Sequence, residues 1–439
     1  MKKSQVQAGF LISAVLFAVM ALAGGCGPGQ EPQVLGKLEA EGEAGQEAPE
    51  NLEEGDVDGL LAMLEVPERY ETRLAEDGLV LTADAQVELP DVRGLGNHGM
   101  VSESFTEEEF QRIGRSLSGR LGLDWQTKVE QDVRETEAAE QKQLRVFRLE
   151  EGGKCYQVDY TSFSEPVRDD RGEVRPSLVW WVNLDAGKWK GSSTDAAVYG
   201  KSDPAVAGRL SLASEFEEDA MSLLEEWGMG DYSVWDTWWV KTSYASHPDE
   251  YRYQIRCTPV YGGIPLGGRY GNMEGGQGRV SLPYVRFDYL EDKTLDVVCL
   301  VGKCNVRPGK KKDMFYLPFQ SVGELFQQYV RDYVKQMSEM AHGGGEEEPG
   351  PGQGNGTVRV HVTRVAMEYA GTADGNSGPD AGKEPGTDRL VPVWTFYGYM
   401  EGGDGPGQEN LSSQDRTNSQ REMPLLSVRA DDGQAFMGE

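Results

Sequence analysis

RLVPVWTFYGYM, running from Arg389 to Met400, stands between two stretches too polar and too rich in glycine to pack. Leu390, Val391, Val393, Trp394, Phe396 and Tyr397 are strand formers, and they alternate so that both faces of a strand here are largely apolar. Pro392 lacks one ladder donor, which places the strand at a sheet edge or makes it begin at the proline. The expected partner is VRVHVTRVAMEY, from Val358 to Tyr369, because a long loop closes a hairpin at an entropic cost that grows only logarithmically with its length. An aromatic ligand surface around Trp394 and Tyr397 is one reading of the segment. Core is the other, and it is the expectation, since large apolar side chains on both faces are usually buried.

Upstream, a helix followed by strands recurs three times. TEEEFQRIGRSLSGRL carries a capping box, with Thr106 as cap and Glu109 reaching back, and Phe105 can staple onto Phe110. Phe110, Ile113, Leu117 and Leu121 share one helical face, and the strand-like runs RVFRL, KCYQVDY and SLVWWVNL follow. SEFEEDAMSLLEEW repeats the capping pattern at Ser214 and Glu217, with Gly228 and Gly230 to end the helix. DYSVWDTWWVK, EYRYQIRCTPVYGGIPL and RVSLPYVRFDYL read as its strands. LPFQSVGELFQQYVRDYVKQM opens the third round, which ends in the segment quoted first. Strands joined without helical crossovers pair antiparallel, so the fold class is α+β, as repeated helix-plus-antiparallel-sheet units in two or three modules. The expected division is 59–200, 201–310 and 311–439, the last with long Gly-rich loops.

In order and spacing, YLPFQSVGELFQQYV, VHVTRVAMEYA, LVPVWTFYG and LLSVRADDGQAF resemble the closing half of a family of uncharacterised lipoproteins from clostridia and related Gram-positive bacteria. YGGIPLGG, from Tyr261 to Gly268, is similar to the glycine-isoleucine-proline turn of PepSY-like domains and of extracytoplasmic regulators of sensor kinases. The resemblance implies an α+β fold at the cell envelope. It transfers no catalytic residue, because that family has no assigned activity.

The N-terminus fits this location. Lys2 and Lys3 precede an apolar run from Phe10 to Leu22, and Ala23, Gly24 and Gly25 lead to Cys26. The run is short for a membrane span and reads as a signal peptide over 1–25. AGGC resembles the lipobox of bacterial lipoproteins, although the family's usual leucine three residues before the cysteine is Ala23 here, with Leu22 one earlier. The resemblance makes Cys26 the lipidation site and the mature N-terminus, with the chain anchored on the extracytoplasmic face of the cell membrane. Residues 26–58 are rich in Gly, Pro and Glu and lack aromatics, the composition of an acidic flexible linker. A linker of about thirty residues has an r.m.s. reach of roughly 30 Å. The formal net charge of −30 argues against nucleic acid and against adhesion to anionic head groups.

Motifs for chemistry are weak. GLGNHG, Gly94 to Gly99, matches G-x-G-x-x-G in letters, but Pro90 interrupts the approach and the next helix waits until Thr106, so it reads as a surface loop. His98, His247, His342 and His361 are scattered without metal-ligand spacing, and no G-x-S-x-G elbow occurs. No metal and no cofactor are expected. Cys299 and Cys304 bracket a short turn that can bring the sulfurs together as a disulfide, while Cys155 and Cys257 read as free and buried. Trp235, Trp238 and Trp239, with Trp180 and Trp181, form the candidate ligand or partner surface, because strand neighbours point to opposite sides of a sheet. Packing between layers is the preferred reading of these tryptophans. The expectation is a non-catalytic interaction or regulatory module whose partner is a membrane-bound protein. The alternative is a lipoprotein that binds a cell-wall glycan or small ligand through exposed tryptophans.

Overall fold

The computed structural model describes residues 46–47, 64–76, 78–89, 95–103, 105–135, 142–151, 154–163, 177–184, 193–201, 203–244, 248–267, 282–307, 315–342, 357–372, 388–401, 422–431, 433 and 435–437. Strands β1 (Gln46–Glu47), β2 (Arg69–Glu76), β3 (Leu79–Glu88) and β4 (His98–Glu103) precede helix α1 (Glu107–Arg120). Then come β5 (Val129–Glu135), β6 (Lys142–Glu151), β7 (Lys154–Phe163), β8 (Ser177–Leu184), β9 (Ser193–Gly200) and α2 (Leu210–Glu226). The chain continues through β10 (Tyr232–Tyr244), β11 (Glu250–Tyr261), β12 (Ile264–Pro265), β13 (Tyr284–Leu290), β14 (Leu295–Val301) and β15 (Lys303–Arg307). It ends with β16 (Phe315–Tyr316), α3 (Phe319–His342), β17 (Val358–Thr372), β18 (Asp388–Glu401), β19 (Met423–Arg429) and β20 (Ala435–Met437).

The fold is α+β, built on two large sheets. The ten-stranded sheet has the order β5-β6-β7-β8-β14-β13-β11-β10-β9, with β12 on β11. The eight-stranded sheet runs β15-β4-β18-β17-β3-β2, with β19 on β18 and β20 on β19. Each helix is followed by four strands in antiparallel meander: β5 to β8 after α1, β10, β11, β13 and β14 after α2, and β17 to β20 after α3. The first two meanders meet edge to edge where β8 pairs antiparallel with β14. No described helix is long and apolar enough to cross a membrane.

α1 and α2 lie on one face of the ten-stranded sheet, and their apolar stripes fill a single core. Phe110, Ile113 and Leu117 from α1 and Phe216, Ala220, Leu223 and Leu224 from α2 share it with Phe147, Val158, Trp239, Tyr253, Phe287 and Val298. The capping box of α1 forms as expected, with the Thr106 hydroxyl accepting from the Glu109 amide at 3.2 Å. The second expected cap does not. α2 starts earlier, after a 3-10 turn capped by Asp203, so Ser214 lies inside the helix. Glu217 instead accepts from the Tyr253 hydroxyl at 2.5 Å and pairs with Lys201 at 2.7 Å, while Asp219 takes Tyr289 and Arg120, tying helix to sheet and to α1.

Gly114 lets α1 close on this core, because a Cβ there would overlap the indole of Trp125. Gly114→Ala is expected to cost about 1 to 3 kcal/mol by overpacking, although alanine adds about 1 kcal/mol of helix propensity. Gly119, in the same helix, faces open space, and Gly119→Ala should stabilise by up to about 1 kcal/mol. Urea midpoints that move the same way for both variants would show that Trp125 yields its place freely.

The second core lies between α3 and one face of the eight-stranded sheet. Phe319, Val322, Phe326, Tyr329 and Val330 are buried on α3. Phe319 meets Trp394 edge-on at 4.9 Å, and Phe326 stacks on Phe396 at 3.9 Å. The Arg389–Met400 segment is therefore core, and β17 is its partner along thirteen paired positions from Arg359↔Glu401 to Thr372↔Arg389.

Several expectations are corrected. β18 is a central strand, flanked by β17 on one side and by β4 and β19 on the other. Pro392 is accommodated because its carbonyl accepts from Ala430 on the β4/β19 side. A residue's N and O point the same way in a strand, so the missing donor falls in the gap between Leu390↔His98 and Val393↔Arg429. β2, β3 and β4, assigned to a first unit at 59–200, belong to the sheet of the third round, and β17 pairs in parallel with β3. β15, placed in 201–310, joins that sheet too. Within the stretch read as a flexible linker, Gln46 and Glu47 pair with Tyr316 and Phe315.

Candidate functional site

The two sheets touch along a seam, and the polar chemistry of the described residues concentrates there and on the adjoining face of the ten-stranded sheet. Gly262 and Gly263, both at positive φ, form the two-residue turn between β11 and β12. The hairpin carries Ile264 and Leu266 into full burial. Leu266 bridges Tyr369 of β17, whose carbonyl accepts from the Gly267 amide at 2.8 Å. The glycine-isoleucine-proline turn is thus a buckle between the sheets. A second link is covalent, since β14 runs through Gly302 into β15 of the other sheet.

The centre of the seam is Glu368, 2% exposed on β17. Trp235 of β10 donates its indole N–H to Oε1 at 3.1 Å, and to the Tyr397 hydroxyl at the same distance. Tyr397 also donates to Oε1, while Oε2 accepts from the Thr395 hydroxyl at 2.9 Å. Thr395 in turn meets Ser427 at 2.9 Å. The Arg364 guanidinium lies 3.8 Å above the Tyr397 ring. Burial alone would lower its pKa, and Tyr397, Glu422, Glu88 and Glu368 raise it above the ordinary value. Six side chains from both sheets thus meet in one patch, with Arg364 also pairing outward to Glu88 at 3.1 Å.

Beside the buckle, His98 of β4 packs edge-on against Tyr261 at 4.8 Å and Tyr369 at 5.3 Å. Its Nε2 is 2.9 Å from the Tyr369 hydroxyl. Burial lowers the His98 pKa, and burial raises that of Tyr369. Asn97 donates to Asp431, which pairs with Arg429 at 2.7 Å. The described part of GLGNHG therefore leads into a strand and through the seam, rather than forming the surface loop its composition suggests.

On the face of the ten-stranded sheet away from its helices, Arg252 contacts Asp296 at 2.7 Å, Glu250 at 3.2 Å and Asp288 at 3.9 Å. Burial would depress the Arg252 pKa, but these carboxylates more than reverse it. Asp288, 1% exposed, also accepts from Gln254 at 2.9 Å. Arg286 Nε lies 3.1 Å from Asp288 Oδ1 but is misaligned for a hydrogen bond, so that contact is coulombic. Arg256 sits among Trp235, Trp238 and Tyr284, 4.9 to 5.5 Å from each ring.

Trp238 and Trp239 present no exposed face to a ligand. Trp238 and Trp239 are buried at 3% and 0%, on opposite sides of the sheet, and Trp235 is half-buried in the seam. Trp180 and Trp181 stand opposite Val298 and Val297 in register, and their side chains lie outside the described residues. Cys299 and Cys304 are not joined in a disulfide. Their strands enter different sheets instead of folding back as a hairpin, so the expected bridge does not form. Cys257 is free and buried as expected, and burial pushes both its thiol and that of Cys304 up to about 12. Cys26 and His247 lie outside the described residues, as does the Cys155 side chain. A cleft of about 380 Å³ beside Val66, Arg69, Val87 and Leu89 is lined by none of the seam residues. Among the described residues no three His, Cys, Asp or Glu side chains are grouped to hold a metal.

Sequence reasoning missed Glu368, the Arg252 carboxylate cluster and the seam role of His98. Glu368 carried a signal: it is the one charged residue in VAMEYA, a run apolar on both faces. No protein-family model matches the chain, and no curated protein does. Among solved structures, the chain is similar to the crystal structure of an uncharacterized protein from Eubacterium rectale, at 13% identity and a TM-score of 0.48, over 87% of this chain and 99% of that one.

Proposed function

We propose that this chain is a non-catalytic, lipid-anchored interaction module on the outer face of the cell membrane, built from three related helix-plus-sheet units of PepSY-like kind. The order of elements supports the units, since each helix precedes a four-stranded antiparallel meander. The observation that carries the interaction reading is the Trp235–Glu368–Tyr397 patch. The aromatic and ionisable groups best suited to chemistry brace one sheet against the other. What such a frame offers a partner is its strand edges: β5 and β9 end the ten-stranded sheet, and β2 ends one side of the other. Extended chains add to edges through main-chain hydrogen bonds. On β2, Arg69, Glu71, Arg73 and Glu76 are charged in a way that discourages indiscriminate pairing.

The tether makes weak contacts sufficient, because an anchored domain meets membrane-bound partners at high effective concentration. A sensor kinase or an envelope enzyme fits that position. Labelled fatty acid should enter the wild-type protein and be lost in Cys26→Ala, which should also leave the membrane fraction; a single acyl chain gives only marginal attachment. A soluble, unlabelled wild type overturns the anchor. Cross-linking in native membranes should recover a membrane protein with the wild type and less with Cys26→Ala. Activity that vanishes on substituting one exposed polar side chain, with folding intact, would replace this reading with an enzyme.

A further inference from the structure

We propose that His98 is an acid-sensitive pin between the two sheets, holding the buckle at Leu266 and Gly267 closed when neutral and releasing it when protonated. The inference stands apart from the proposed function, since it concerns the seam alone. His98 is wedged between Tyr261, from the ten-stranded sheet, and Tyr369, from the eight-stranded sheet. Tyr369 is also the residue whose backbone receives the buckle, through Gly267. The imidazole thus touches both halves of the joint.

The hydrogen bonds set the protonation state. The Gly96 backbone hydrogen bond lowers the Tyr369 pKa, as an amide donating to the phenol oxygen does. The hydroxyl proton is then directed to His98 Nε2, 2.9 Å away. With Nε2 accepting there, His98 is neutral and carries its proton on Nδ1. A second proton at Nε2 would confront the hydroxyl proton and force one group to turn.

The groups around His98 come from several elements. Tyr261 of β11 and Tyr369 of β17 face the ring, and Leu390 of β18 stands opposite in register. Farther out, Tyr316 of β16 is coupled to Tyr369, and the Asp431–Arg429 pair at the end of β19 is reached through Asn97. Desolvation depresses the folded pKa of His98 below its ordinary 6.5. Its contribution is therefore fully present above about pH 6.5 and is lost as pH falls toward the folded value, where the unfolded chain binds the extra proton.

The test uses the whole chain. The four histidine ring signals are followed by NMR from pH 8 to 4.5, with His98 assigned from His98→Gln. His98 should titrate below 6.5, and the protection factors of the Leu266 and Gly267 amides, corrected for intrinsic exchange, should fall by about tenfold as it does. In His98→Gln those protection factors should be independent of pH over the same range. A His98 titration at or above 6.5, or protection that stays constant through its titration in the wild type, overturns the proposal. Both readings come from the wild type and remain decisive even where His98→Gln fails to fold, the assignment then resting on His98→Phe or on through-bond correlation.

Discussion

Trp394→Ala is expected to lose about 3 to 5 kcal/mol of stability, the range for deleting a buried large aromatic. Trp394 is fully buried on the central strand β18 and meets Phe319, the first residue of α3, edge-on. Removing the indole takes away apolar burial and leaves a void beneath the helix start, where Phe326, Phe396 and Tyr70 are locked ring against ring. That group has little freedom to collapse into the space. Trp394→Phe should be far milder, about 1 to 2 kcal/mol, because the indole N–H has no hydrogen-bond partner among the described residues. No donor is lost, and an unsatisfied one is removed. Urea unfolding measures both. Equal, small shifts of midpoint for the two variants would place Trp394 at the surface and return it to the ligand reading.

That Trp394 is core was legible because the strand is apolar on both faces, and the sheet does have a layer on each: α3 on one side and the seam on the other. Local signals were equally readable at α1, where Thr106 and Glu109 form the cap. They failed where a tertiary partner outweighed them. Ser214 and Glu217 have capping spacing, yet Glu217 is drawn to Tyr253 and Lys201 and the helix begins upstream. Pro392 looked like an edge residue because spacing cannot show that two different strands share one side of β18 and leave a gap at the proline. Likewise, nothing local reveals that β3 crosses the chain to lie parallel to β17, a pairing between residues nearly three hundred positions apart. Cys299 and Cys304 have hairpin spacing, but the chain at Gly302 passes from one sheet to the other. The seam itself gathers one to three residues from each of β4, β10, β11, β17, β18 and β19, and only Glu368, a charge in an apolar run, announced it.

Glu368 yields the second large effect. Glu368→Ala removes the acceptor for Tyr397 and Thr395 hydroxyls and for the Trp235 N–H. Unsatisfied buried donors cost about 1 to 3 kcal/mol each. Two of the three have fallbacks, since Thr395 retains Ser427 and Trp235 retains the Tyr397 oxygen. Tyr397 loses the carboxylate that accepts from its hydroxyl, and a cavity is added. The expected total is therefore about 3 to 5 kcal/mol, in the range for breaking a buried charged network. Glu368→Gln keeps one carbonyl acceptor, and the Thr395 hydroxyl can turn to accept from the new amide while donating to Ser427, so about 1 to 2 kcal/mol is expected. Trp235→Phe should cost about 1 kcal/mol, because the carboxylate keeps Tyr397 and Thr395. A double-mutant cycle of Glu368→Ala with Tyr397→Phe separates the network from simple packing: a coupling of about 1 to 3 kcal/mol is expected, since removing the hydroxyl removes the donor that the alanine deprives of its carboxylate. Additive losses would mean that Tyr397 and Glu368 stabilise the protein independently, and the sheets would then be held by the Leu266 buckle and the β14–β15 crossing, with the carboxylate a passenger between them.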